Sequence, residues 1–116
     1  MPTYLDLNPP PVPCAAMAPN NVEKGYACRC FEAMFARNAV IVSIGTPNVF
    51  RVDGTPMGPN DLTVPETTIY WNGLGFGWRA VSGLNAAVYI VQFTLYLSTG
   101  SFITRSFLLP VDATVG

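Results

Sequence analysis

From Ala39 onward the apolar residues come in short runs rich in β-branched and aromatic side chains, each closed by a cluster of turn formers. Ala39-Val40-Ile41-Val42-Ser43-Ile44 ends at Gly45-Thr46-Pro47-Asn48. Val49-Phe50-Arg51-Val52 ends at Asp53-Gly54, and Thr67-Thr68-Ile69-Tyr70-Trp71 ends at Asn72-Gly73. Runs of this length, separated by turn chemistry, predict strands. Pro56, Gly58, Pro59, Asn60 and Asp61 make residues 55–65 a loop. Gly73, Gly75 and Gly77 alternate with Leu74 and Phe76, and the spacing predicts a bend or bulge that gathers Trp71, Phe76 and Trp78. The glycines lack the lysine and the following helix that a phosphate loop requires.

The stretch from Val88 to Val111 carries one charge, Arg105, and turns at Ser98-Thr99-Gly100-Ser101. A two-residue loop would set Leu95 against Thr104 and Phe93 against Ser106, mixing core residues with hydroxyls. A three-residue loop with Gly100 left-handed shifts the register by one. Leu95 then meets Ile103, Phe93 meets Arg105, Val91 meets Phe107 and Tyr89 meets Leu109, while Thr94 meets Thr104 and Gln92 meets Ser106. The second register pairs like with like and is the expected one. Its other face, Gln92, Thr94, Tyr96, Phe102, Thr104 and Ser106, is neutral, and its composition matches interface cores, which makes it a candidate subunit-contact face. Repeated short strands predict an all-β fold, an antiparallel β-sandwich.

Upstream the pattern changes. Phe31, Met34 and Phe35 share a helical face within residues 28–38, although a strand with Cys28, Cys30 and Met34 on alternating positions fits the same residues. Six of the eleven prolines fall in the first nineteen residues. They predict an extended, proline-rich arm over residues 1–24, ahead of a single domain over 25–116. A disordered terminus and an arm laid over a neighbouring subunit both fit; Tyr4, Leu5, Leu7, Val12 and Met17 are the candidate arm contacts.

Composition narrows the function. Charged residues are 11% of the 116 and hydrophobic residues 50%, against about 25% charged in ordinary soluble domains. Large neutral surfaces suit permanent contacts and predict a homo-oligomer or a larger assembly. A net charge of −1 with scattered Lys and Arg gives no reason to expect a nucleic-acid or membrane partner. The uncharged interval between Arg79 and Arg105 is too interrupted by turn residues to span a bilayer. The opening MPTYLDLNPPPVP lacks the basic and apolar regions of a signal peptide, so assembly in the cytoplasm is expected.

The chemistry of catalysis is thin. Without histidine no Ser-His-Asp or Cys-His arrangement can form. Asp6, Glu23, Glu32, Asp53, Asp61, Glu66 and Asp112 are spread singly, and neither a glycosidase pair nor a calcium-loop spacing is present. No enzyme activity, cofactor or metal is expected. Cys14, Cys28 and Cys30 are an odd count, read either as free thiols or as partners in an inter-subunit disulfide. Zinc is not expected, because the Cys-x-Cys spacing is wrong and no histidine is present to complete four ligands. On alternating strand positions, Cys28 and Cys30 would project in parallel and are not expected to bond to each other. Tyr70, Trp71, Phe76 and Trp78 form either part of the core or an aromatic carbohydrate platform.

Ser82-Gly83 and Tyr89, then Ser98-Thr99-Gly100, then Thr104-Arg105-Ser106 and Leu109-Pro110-Val111, resemble the C-terminal third of small Ig-like virion proteins of tailed bacteriophages, particularly fibre–tail adaptor proteins. The early Asn-Pro-Pro fits their proline-rich start. Leu84 and Ala87 replace two glycines of that pattern, and Ser101 replaces an arginine. The resemblance implies an Ig-like sandwich and a structural role in the virion, among other virion proteins, at the tail or fibre attachment region. Capsid decoration is the alternative within that class, and a carbohydrate-binding module the alternative outside it. No catalytic residue follows from the resemblance.

Overall fold

The computed structural model describes residues 11–19 and 23–114. Tyr4, Leu5 and Leu7 lie outside the described residues. Two β-sheets share one core. The first sheet holds β1 (Val12–Pro13), β8 (Phe102–Pro110) and β7 (Val88–Leu97) side by side, with β3 (Ile41–Ile44) and β4 (Asn48–Arg51) end to end along the far edge of β7. The second sheet has the order β2 (Glu23–Arg29), β6 (Gly75–Val81), β5 (Thr63–Tyr70). One short helix, α1 (Phe31–Arg37), follows β2.

The β7–β8 hairpin adopts the register expected from its polar pattern: Leu95 faces Ile103, Phe93 faces Arg105, and Thr94 faces Thr104. Gly100 sits at φ 89°, the left-handed position that the three-residue loop demands. Strands β3 and β4 act as one antiparallel partner of β7, interrupted at residues 45–47, where Pro47 has no N–H for the ladder. The inner faces meet in an aromatic cluster. Phe93 lies 5.1 Å from Phe76, 5.3 Å from Trp78 and 5.8 Å from Phe107 between ring centroids.

Two expectations need correction. Residues 75–81 form no bend; they are the central strand of the second sheet. Their alternation is strand alternation, with Phe76, Trp78 and Ala80 buried in the core and the glycines facing outward. The fold is not wholly antiparallel either, because β1 runs parallel to β8. Val12 to Met17 therefore lie along their own domain: Cys14 N–H donates to the Leu108 carbonyl (2.9 Å) and Met17 N–H to the Pro110 carbonyl (3.1 Å). Prolines suit this position, since an edge strand can leave one side without donors. Of the two readings open for residues 28–38, the helix is the one adopted, over residues 31–37; it buries Met34 and leaves Phe35 67% exposed.

Candidate functional site

The first candidate region is the outer face of the β7–β8 sheet. Strand alternation brings Gln92 beside Ser106, Thr94 beside Thr104, and Tyr96 beside Phe102. Gln92, Thr94 and Thr104 are half-buried and Ser106 is buried. Tyr96 and Phe102 are 45% and 61% exposed, with ring centroids 6.3 Å apart. Val42 on β3, also exposed, flanks the same end of β7 where a bulge separates Ile41 from Ser43, and sequence reasoning missed it. Pairing carries the uncharged character across the sheet, because Ser43 faces Tyr96, Asn48 faces Gln92 and Phe50 faces Ile90. The positions that share this face carry no Lys, Arg, Asp or Glu. Of the candidate arm contacts, Val12 is 48% exposed, whereas Met17 is fully buried in its own core and has no surface to offer a neighbour.

The second region is a groove of about 620 Å³ on the outer face of the second sheet, lined by Gly25, Ala27, Thr68, Tyr70, Trp71 and Gly77 among others. Glycine makes the groove. A Cβ on Gly77 would meet the Tyr70 ring at 2.4 Å, and one on Gly75 would meet the Trp71 ring at 2.4 Å. Both rings therefore lie across the bare backbone of β6. Trp71, Asn72 and Gly73 all have positive φ (53°, 55° and 87°), uncommon for a bulky aromatic residue. Arg29 stands 5.5 Å from the Trp71 ring, and Arg79 pairs with Glu66 at 3.3 Å. The expected aromatic set is thus divided. Tyr70 and Trp71 face solvent, while Phe76 and Trp78 belong to the core.

The third region gathers the thiols. All three cysteines are free. Cys28 and Cys30, expected to project in parallel without bonding to each other, are unbonded, but their sulfurs are in contact at 3.8 Å. Cys30 is no longer a strand residue: it caps α1 with φ −111° and ψ 28°, and the parallel projection assumed for alternate strand positions is lost. The contact with Cys28 pulls the Cys30 thiol down to about 7, against the opposing effect of burial and helped by the charge of Arg105. The same contact, together with burial, pushes Cys28 up. Two thiols sharing one proton give up the first easily and the second with difficulty. Cys14, half-buried near Lys24, is pushed up to about 11 by burial.

Among the described residues the carboxylates do not converge. Asp61, 3% exposed, is held by the Arg51 guanidinium (2.8 Å), the Tyr89 hydroxyl (2.6 Å) and the Gly58 N–H (2.6 Å). Burial alone would raise its pKa; these donors outweigh burial and hold it below the usual carboxylate value. Asp53 accepts from the Thr55 N–H at 2.9 Å on the exposed loop, and Glu66 is occupied with Arg79. Asp61 is thus a structural anchor for residues 52–62, tying the loop to β4 and β7.

No family model, curated protein or solved structure matches the chain.

Proposed function

We propose that the chain is a structural component of a bacteriophage virion, an Ig-like adaptor that joins subunits at the tail or fibre attachment region. The observation that carries this reading is the uncharged outer face of the first sheet, which ends in the exposed Tyr96–Phe102 pair. A freely diffusing domain gains solubility from Lys and Glu on such a face; a permanently covered one is depleted of them. The resemblance of the C-terminal third to phage adaptor proteins gives the assembly its kind, and copies of the chain and other virion proteins are its partners. Capsid decoration would use the same face. Phe102→Lys is expected to weaken self-association about thirtyfold, the scale of losing one interface anchor worth about 2 kcal/mol. Sedimentation velocity over a concentration series reads this directly, and unchanged association would remove Phe102 from the interface.

The groove over Gly75 and Gly77 favours a second reading, a carbohydrate-binding module. Exposed rings beside polar side chains suit the apolar faces and hydroxyls of a sugar. Trp71→Ala is expected to lower binding to an immobilised glycan panel at least about tenfold, since the aromatic contact supplies much of such affinity. A chain that binds no glycan on the panel would leave the aromatic pair as cover for the glycine backbone.

A further inference from the structure

Arg105 is the single charge in the long apolar hairpin, and it faces inward, opposite Phe93. It is half-buried, and its guanidinium donates to the Thr104 carbonyl at 2.9 Å. Among the described residues no carboxylate lies within ion-pair distance of it. An inward cation without a carboxylate needs another source of negative charge. Cys30 supplies the candidate: Arg105 and Cys30 line the same opening of about 420 Å³, together with Arg29, Phe31, Glu32 and Ala33. Cys30 is 4% exposed, and its sulfur lies 3.8 Å from that of Cys28. Closing that contact to the ~2.05 Å of a disulfide requires an approach of under about 2 Å.

We propose that Cys28 and Cys30 form a peroxide-sensitive dithiol, in which Cys30 is oxidised first and Cys28 resolves it to an intrachain disulfide. The arrangement divides the roles. Cys30, which shares its opening with Arg105 and touches the Cys28 sulfur, is the more acidic thiol of the pair, and the thiolate is the nucleophile. It attacks one oxygen of a small hydroperoxide and breaks the O–O bond. Cys30 becomes a sulfenic acid, and the second oxygen leaves as hydroxide or alkoxide, which takes up the proton that Cys30 had lost. The Cys28 sulfur then attacks the sulfenic sulfur and expels its hydroxyl, which leaves as water with the Cys28 proton. Two thiols and one hydroperoxide give one disulfide, one water and one further water or alcohol; the sulfurs are oxidised and the O–O bond is reduced. The near-complete burial of Cys30 restricts the oxidant to small hydroperoxides. This inference is independent of the assembly reading.

The test uses the full chain, reduced and then treated with one equivalent of hydrogen peroxide. The intact mass is expected to fall by two hydrogen atoms. Trypsin cuts after Arg29, between the two cysteines, so the two resulting peptides should stay joined until reductant separates them. At pH 7, Cys30→Ser is expected to slow thiol consumption about fivefold. That figure is the gain in thiolate fraction from lowering a thiol from about 9 to about 7, less its reduced nucleophilicity. The wild-type rate should rise with pH to a midpoint near 7, set by Cys28 and by the charged groups around Cys30: Arg105 from β8, and Arg29 and Glu32 at the opening. Cys28→Ser should stop at a Cys30 sulfenic acid that dimedone captures, and Cys14→Ser should react like the wild type. Unreacted thiols, a bond involving Cys14 or a second chain, or dimedone label away from Cys30 would each overturn the proposal. The wild-type peptide map decides the matter even where a variant folds poorly.

Discussion

Phe93→Ala is expected to destabilise the domain by about 4 kcal/mol, the usual cost of emptying a buried aromatic site. Phe93 is fully buried and touches rings from both sheets: Phe76 and Trp78 on β6, and Phe107 on β8. Its removal therefore deletes the contact that joins the sheets at their centre, and three ring pairs with it, two of them edge-to-face. Each such pair adds about 0.5–1.5 kcal/mol beyond area burial. A small domain holds only about 5–15 kcal/mol in total, so the variant should unfold at markedly lower denaturant or fail to accumulate. Phe93→Leu keeps most of the volume and should lose less than half as much. Urea titration followed by tryptophan fluorescence reports the difference, because Trp78 packs against Phe93. Equal stability of Phe93→Ala and wild type would contradict the shared core.

Asp61→Ala is expected to cost about 3 kcal/mol, through a different mechanism. The carboxylate satisfies Arg51, the Tyr89 hydroxyl and the Gly58 N–H together, and removing it strands a largely buried guanidinium and two donors. The Tyr89 hydroxyl also accepts from the Leu84 N–H at 3.1 Å, so the damage should reach the segment between β6 and β7. The same network makes stability depend on pH. The folded Asp61 pKa is depressed below its unfolded value of about 3.9. Its contribution is therefore complete above that value and is lost as pH falls through it toward the lower folded pKa. Thermal melts between pH 6 and pH 3 should show a drop that is shallower in Asp61→Asn. Parallel pH profiles would mean that Asp61 titrates alike in the folded and unfolded chains.

Legibility in the sequence followed the range of the interactions. The β7–β8 register could be read because like residues match across the hairpin in one alignment only, and both strands are adjacent in the chain. Strand β2 was hidden, since Lys24, Gly25 and Cys28 have weak strand preference and form a strand through pairing with β6. Strand β6 was misread because its glycines look like a break until Tyr70 and Trp71 are seen lying over them. Asp61 read as a turn former; its burial depends on Arg51 and Tyr89, which only the fold brings to it. Arg105 and Cys30 line one opening from positions far apart in the chain, which left no local pattern. The signal that was present was the odd placement of a lone arginine on a core face.

The measurement that bears most directly on the assembly role is the solution mass of the purified full chain, taken by light scattering at several concentrations with and without reductant. A defined oligomer, or a mass that rises with concentration, is expected in both conditions, since the contact is a neutral sheet face. A monomer at every concentration, with and without reductant, would contradict it.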